Sequence, residues 1–379
     1  MKQTSIAIVL LGALGDVVRA FAILPPLKEA FRDCHITWIV EPKSAGIVRL
    51  NPYVDTVIEF KRPYSGSIVA KAVKSLSAYQ TFKKDIEGKF FDVVLDLQRH
   101  LKSGILSRSI PAQRRIGFNR ADSKEYNWLF NTDHIPQCDP KISKVYHYLQ
   151  FLPLLGVENN KNVSFGLSKA VTISDAPLSV QNIAKNSQPI IGMIMGSTWE
   201  TKDWTIYGYV RLIELLLKDS SLGCSIILLG DKTQAVLANR IVELISSRGN
   251  VSKNNLLSLA GATTLKELLA ILSVCSVAAG PDSGPGHISA ALGVPYVGLF
   301  GPTTEERVAP FGQENRVVRV SLKCTPCMKR VCPGFGNICM SLISAEQVRD
   351  KILAALMTND SDSVSEKLAC YTSGDSFYA

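Results

Sequence analysis

The sequence predicts an α/β protein built from two doubly wound, Rossmann-like domains. Short, continuous apolar strands alternate with helical segments, which is the pattern of βαβ units whose parallel sheet is covered on both faces. The alternation runs twice, before and after a stretch at 166–188 where periodicity is lost and Ser, Pro, Asn and Asp collect. A length of 379 residues suits two domains at roughly 150 residues each. Two such domains facing each other place a central cleft at the carboxyl ends of their strands, where ligands of doubly wound folds bind.

In the first half, strands are predicted at 6–11, 36–40, 56–60 and 91–97. A Gly-containing turn at 12–16 leads into a helix beginning near Val17. The interval 66–87 reads as a basic helix with Lys71, Lys74, Lys83 and Lys84, and a helix at 143–155 closes the half. After the linker, strands are predicted at 190–195, 225–229, 256–259, 276–279 and 296–300. Helices fall at 206–218, 234–247 and 265–272, the last capped by Thr263 or Thr264 with Glu267 in its first turn. A final helix at 345–357 precedes a polar tail, 358–379, of the kind that is mobile. The predicted domains are therefore 1–165 and 189–357, joined by 166–188.

Hydrophobic content of 46% with 20% charged residues excludes a disordered, coiled-coil or collagen-like chain. No apolar run reaches the roughly 18–20 residues of a membrane-spanning helix. The first 22 residues resemble a secretory signal only superficially, because Asp16 and Arg19 fall where a cleavage site would be. Nine cysteines, five of them (Cys34, Cys138, Cys224, Cys275, Cys370) scattered singly, suit a reducing cytoplasm. The sequons at Asn162 and Asn250 then carry no meaning. A net charge of +9 points to an anionic partner.

Three loops carry chemistry. Gly12-Ala13-Leu14-Gly15-Asp16 lies at a strand-to-helix turn, and its spacing is not the dinucleotide pattern G-x-G-x-x-G. Asp16 at the cleft mouth could accept a hydroxyl proton, although taken alone an ordinary helix N-cap is the stronger reading. The loop after the first strand of the second half holds Ser197, Thr198 and Lys202, the hydroxyls and point charge that hold phosphate oxygens. A solvated hydroxyl-rich loop is the equal alternative. The most specific signal is Gly280-Pro281-Asp282-Ser283-Gly284-Pro285-Gly286-His287, where glycines, Ser283 and the N–H groups of the next helix form an anion nest. His287 in its first turn could bond a phosphate or sugar. Asp231, after Leu229-Gly230, could meet ribose hydroxyls but is equally a turn residue.

In order and spacing these segments resemble glycosyltransferase family 9, the ADP-heptose:lipopolysaccharide heptosyltransferases. The resemblance extends from Gly12-Ala13-Leu14-Gly15-Asp16-Val17 through Asp96-Leu97-Gln98, Lys102-Ser103, Arg115-Ile116-Gly117-Phe118 and Lys202-Asp203-Trp204. It continues with the Gly280-to-His287 loop and Phe300-Gly301-Pro302-Thr303. Gly286 departs from the commoner Met, Ala or Ser before the His. The resemblance implies a GT-B fold, with acceptor on the N-terminal half and nucleotide-sugar on the C-terminal half. It also implies inverting transfer of heptose from ADP-heptose to a lipopolysaccharide inner-core hydroxyl, with Asp16 as general base. Ser197, Thr198, Lys202, Asp231, Asp282, Ser283, Gly284 and His287 would bind the donor and stabilise departing ADP electrostatically. No cofactor is then required for transfer. The D-x-D string Asp360-Ser361-Asp362 lies in the tail and is discounted as a metal site.

The basic stretch 98–120 suits an acceptor bearing carboxylates and phosphates, such as a lipid A–core precursor. Gly15, Arg99, Lys102, Arg115 and Arg120 are the acceptor-side candidates, against the alternative of a solvated helix face. The same surplus favours peripheral contact with an anionic membrane, at the inner face of the inner membrane for a cytoplasmic enzyme. Nucleic acid fits poorly, because no binding motif accompanies the charge. Cys324, Cys327, Cys332 and Cys339 have the density of a thiolate cluster, for which structural zinc, iron–sulfur, disulfides or packed free thiols are all physically reasonable. The competing functions are another GT-B nucleotide-sugar transferase, a sugar-nucleotide epimerase, or a non-catalytic binding paralogue.

Overall fold

The computed structural model describes residues 3–61, 68–158, 162–186, 188–248, 255–334 and 336–357, with the backbone alone at 68, 69, 71 and 72. The predicted tail, Asn250, Cys370 and the Asp360–Asp362 pair lie outside the described residues. The chain divides into two compact units, Met1–Ala170 and Val171–Ala379. Among the described residues, no helix is long and apolar enough to cross a membrane.

The first unit contains β1 (Ser5–Val9), β2 (His35–Val40), β3 (Thr56–Glu59), β4 (Phe91–Asp96), β5 (Ala112–Gly117) and β6 (Asp133–His134). They form one parallel sheet in the order β3-β2-β1-β4-β5-β6. Its helices are α1 (Leu14–Ala20), α2 (Leu24–Ala30), α3 (Pro42–Leu50), α4 (Ile68–Asp85), α5 (Leu101–Ser109) and α6 (Lys144–Leu149). Ile6, Ala7, Ile8 and Val9 are fully buried, as a central strand covered on both faces requires. Phe82 and Ile86 at the end of α4, with Leu106 and Ile110 at the end of α5, pack on Ala7, Val9 and Val94 of the sheet.

The second unit repeats the design with β7 (Ile190–Ile194), β8 (Ser225–Leu229), β9 (Leu256–Ser258), β10 (Val277–Pro281), β11 (Tyr296–Phe300) and β12 (Val317–Arg319). Their order, β12-β11-β10-β7-β8-β9, is the same parallel topology. Its helices are α7 (Leu178–Ala184), α8 (Ile206–Lys218), α9 (Ala235–Ser247), α10 (Leu265–Val274), α11 (Gly284–Ala291), α12 (Glu305–Val308), α13 (Ile338–Ser341) and α14 (Ala345–Met357). Thr264 caps α10 in a reciprocal capping box with Glu267, so Thr264 rather than Thr263 fills that role.

Several expectations are corrected. The helix expected from Val17 begins at Leu14. The helix expected over 143–155 is the short α6, capped by Ser143, followed by a 3-10 turn at Pro153–Leu155, where proline stops the α pattern. The expected linker 166–188 contains α7, whose Val180 is buried. The basic stretch 98–120 is no single helix face: it holds α5 and then β5.

Candidate active site

In the N-terminal unit, β1 runs out at Val9, opposite Asp96 at the end of β4. The turn that follows delivers Asp16 in the first turn of α1. The cap of α1 is Ala13, with no side-chain capping bond, so Asp16 is not the N-cap. Its Oδ1 instead accepts from Arg19 Nη1 at 2.6 Å and Lys144 Nζ at 2.9 Å. Arg19 is almost wholly buried, whereas Asp16 and Lys144 keep about a quarter of their side chains exposed. The two cations fix the position of the carboxylate, and its exposed part leaves it accessible to an acceptor hydroxyl. Arg19 follows Asp16 at helical i, i+3 spacing and was legible in principle. Lys144 lies 128 residues away, on α6, and no spacing announces it.

A buried network fixes this turn. Gln98 Oε1 accepts from the Leu11 N–H at 3.0 Å, and the Gln98 N–H donates to Asp96 Oδ1 at 3.1 Å. Asn127 Nδ2 and Ser103 Oγ donate to Asp96 Oδ2 at 2.7 and 3.2 Å. Burial pushes the Asp96 carboxyl up to about 7, against the opposing pull of those three hydrogen bonds.

The acceptor-side candidates separate. Gly15 lies in α1, beside Asp16. Arg99 donates to His147 Nδ1 at 2.9 Å and covers the Phe118 ring at 4.1 Å. Lys102 pairs with Glu41 at 3.5 Å, and Arg120 stands exposed with its guanidinium 5.5 Å from the Trp128 ring centroid. All three follow the carboxyl ends of β4 or β5. Arg115 does not join them. It points the other way and donates to the carbonyls of Ser107 and Ile110, closing the end of α5.

In the C-terminal unit, the ends of β7 and β10 bring Lys202, Asp282 and His287 together. Lys202 Nζ donates to Asp282 Oδ2 at 2.7 Å, and His287 Nε2 stands 3.8 Å from Asp282 Oδ1. Burial opposes ionisation of Asp282, but the neighbouring His287 and Lys202 outweigh it, holding the carboxyl well below the usual range. Gly280 is obligatory here: its φ is +158°, and a Cβ would lie 2.6 Å from the Ile194 carbonyl oxygen. Gly286 is explained by Tyr296, whose ring would sit 2.6 Å from an added Cβ. Ser283 occupies the N-cap position of α11, and Gly284 opens that helix.

The neighbouring loop is pinned through Ser197, whose N–H donates to Asp203 Oδ1 and whose hydroxyl donates to the Trp199 carbonyl at 3.0 Å. Thr198 is exposed beside it. Trp199 was not anticipated: Lys202 Nζ lies 4.5 Å and the Arg330 guanidinium 5.1 Å from its ring centroid. Asp231 follows β8, and its Oδ1 accepts from the Thr233 N–H and hydroxyl at 2.7 and 2.6 Å. That bonding is a local Asx turn, the plainer of its two readings.

In the cysteine segment, Cys339 is buried, Cys327 and Cys332 are half-buried and Cys324 is exposed. Among the described residues, Cys324, Cys327, Cys332 and Cys339 form no disulfide. Among the described residues, no three His, Cys, Asp or Glu side chains are grouped to hold a metal ion. Burial, with the nearby cysteine charges, raises the Cys339 thiol. The segment instead braces the site loops: the Met328 N–H donates to the Pro302 carbonyl at 2.8 Å, and Asn337 Nδ2 to the Glu200 carbonyl at 2.9 Å. Thr201 Oγ1 donates to the Lys329 carbonyl at 3.0 Å.

Residues 79–335 match the family model of glycosyltransferase family 9 (heptosyltransferase). The chain belongs to glycosyltransferase family 9. It is similar to the lipopolysaccharide core heptosyltransferase OpsX of Haemophilus influenzae, with 29% identity over 83% of this chain and 84% of that one. It is also similar to lipopolysaccharide heptosyltransferase 1 of Campylobacter coli, with 26% identity over 90% and 96%. The fold matches E. coli heptosyltransferase WaaC with ADP at a TM-score of 0.72 and 20% identity, covering 93% of this chain and all of that one. The architecture is accordingly GT-B, and the family 9 member is a glycosyltransferase.

Proposed function

We propose that this family 9 enzyme transfers a heptose from ADP-heptose to a hydroxyl of the lipopolysaccharide inner core, with inversion. The observation that carries the reading is the pair of charge clusters at carboxyl ends of strands: Asp16 with Arg19 and Lys144, and Lys202 with Asp282 and His287. The likeness to the lipopolysaccharide core heptosyltransferase OpsX, and to the E. coli heptosyltransferase WaaC with ADP, supports the same substrates.

In a single displacement, Asp16 takes the proton of the acceptor hydroxyl as that oxygen attacks the anomeric carbon. The bond from that carbon to the β-phosphate oxygen breaks, and its electron pair leaves with ADP. Lys202 and the N–H groups opening α11 face the charge that develops on ADP, while Asp282 orients Lys202. Ser197, Thr198, Ser283, Gly284 and His287 position the diphosphate and sugar, while Asp231 shapes the turn after β8. Gly15, Arg99, Lys102 and Arg120 serve the anionic acceptor. The enzyme works in the cytoplasm, in peripheral contact with the anionic face of the membrane that carries its acceptor.

Incubation with ADP-heptose and a panel of deep-core acceptors tests this reading. Expected is acceptor-dependent ADP release with a new glycosidic bond of inverted anomeric configuration. ADP-heptose consumed without acceptor, or a retained configuration, contradicts it.

A further inference from the structure

In the N-terminal unit, each large apolar side chain that stands exposed among the described residues lies between positions 73 and 129. Helices α1, α2, α3 and α6 expose none. Val73 and Leu76 belong to α4, Leu101 and Ile105 to α5, and Leu129 to the 3-10 turn Asn127–Phe130 that packs on α5, while Phe90 stands just before β4 and Tyr126 just before that turn. On α4 the outward row is Val73, Leu76, Gln80 and Lys83, at i, i+3, i+7 and i+10. On α5 it is Leu101, Ile105 and Arg108, at i, i+4 and i+7. Each helix thus turns apolar residues outward near its start and a cation near its end, with Leu129 exposed beside them. The solvent face of a soluble protein's helix is ordinarily polar.

The two helices form one surface. Tyr79 Oη of α4 and Ser109 Oγ of α5 are 2.7 Å apart. Between the helices runs a groove of about 480 Å³ in which Tyr79, Ile105 and Phe130 meet Lys83, Arg108 and Arg115. Three cations and no carboxylate line it. Arg115 is disfavoured as a cation first by burial and then by the charge of Arg108, and an anion in the groove would offset the repulsion between the two. Lys74 and Lys84 extend the positive face along α4, and Lys124 stands exposed near the 3-10 turn. Of the acids on this side, Glu125 is engaged by His100 and the Leu101 N–H, leaving Asp85 and the exposed Glu87 against the lysines of α4.

We infer that the α4–α5 face, with the adjoining turn, is the surface by which this protein lies on an anionic lipid bilayer. Apolar side chains enter the headgroup boundary while lysines and arginines meet lipid phosphates, the combination that interfacial helices use. Neither component suffices alone. The orientation also fits the reaction, a point that rests on the function proposed above. Leu101 opens α5 just past the carboxyl end of β4, and Asp96 there is in register with Val9, the strand end that leads to Asp16. A membrane-anchored acceptor would therefore meet the protein at the sheet edge that carries the base.

Co-sedimentation of the full chain with phosphatidylglycerol/phosphatidylcholine vesicles and with pure phosphatidylcholine vesicles tests the assignment. The wild type is expected to pellet with the anionic vesicles only, and to be released by salt. Ile105→Glu with Leu129→Glu, and separately Lys83→Glu with Lys84→Glu, should each weaken binding by about tenfold or more. Tyr207→Glu with Val236→Glu, exposed apolar positions of the other unit, should leave it unchanged. Thermal melting checks that each variant is folded, and the two pairs act on different side chains, so one remains informative if the other unfolds. Absence of vesicle binding by the wild type, equal binding to both vesicle types, or no loss in folded variants overturns the inference. Vesicle binding is read without turnover: binding without transfer would sink the proposed reaction alone, and transfer to a soluble acceptor without vesicle binding would sink this surface alone.

Discussion

Asp282 is a buried carboxylate whose ionised state depends on Lys202 and His287, and this dependence separates two roles for Lys202. A lysine that only awaited a diphosphate could be removed at little cost to folding. Here its removal leaves a buried negative charge without its nearest cation, which typically costs about 3–5 kcal/mol. Lys202→Met is therefore expected to lower unfolding stability in urea by roughly that amount, tempered by His287, which stays in place. Adding Asp282→Asn to the same chain should restore most of the loss. Donor binding should remain weak in both variants, because the positive charge facing the diphosphate is gone in both. A Lys202→Met protein as stable as the wild type would contradict the coupling. Asp231 is the opposite case at this scale, since its carboxylate is bound up in its own turn.

At the scale of elements, the β1–α1 turn is held from β4 through Gln98 and Asp96. The folded Asp96 carboxyl titrates near 7, well above the ordinary carboxylate value of 3.8, so the folded state holds the proton more tightly than the unfolded chain. Its contribution to stability is full below about pH 4 and is lost as pH rises through about 7. Relative to Asp96→Asn, the wild type should lose up to ~4 kcal/mol of unfolding free energy across that window and then level off. Chemical denaturation at a series of pH values reads this directly; parallel curves for the two proteins would contradict it. Strand–helix alternation was legible because β1, β7, β8 and β11 are buried runs, and α8 and α14 appear at their predicted bounds. β5 was not, because Gln113, Arg114 and Arg115 break its apolar run; Arg114 pairs with Asp133 on β6 and Arg115 closes α5. α5 was also illegible, since outward Leu101 and Ile105 erase the amphipathic period. The same residues that hid the helix from the sequence mark its outer face as a contact surface.

For the whole molecule, two units of identical strand topology carry different charge chemistry at their strand ends. The N-terminal unit holds a carboxylate between cations, and the C-terminal unit holds a lysine–aspartate–histidine cluster beside a helix N-terminus. The glycine-rich loops and Asp16, Lys202, Asp282 and His287 were readable because strand-to-helix turns are where doubly wound folds keep their ligands. Lys144 and Arg330 were not, because tertiary packing alone brings them in, and Trp199, though in the Ser197–Lys202 loop, shows its cation contacts only in the folded loop. In the proposed reaction, proton abstraction falls to one unit and donor binding to the other, and Asp16→Asn divides these most directly. Turnover of ADP-heptose with a lipopolysaccharide-core acceptor should fall by about a hundredfold or more, while ADP-heptose affinity, measured by calorimetry, stays within about threefold of wild type, a difference below 1 kcal/mol. Transfer that persists in Asp16→Asn at near wild-type rate would contradict the assignment.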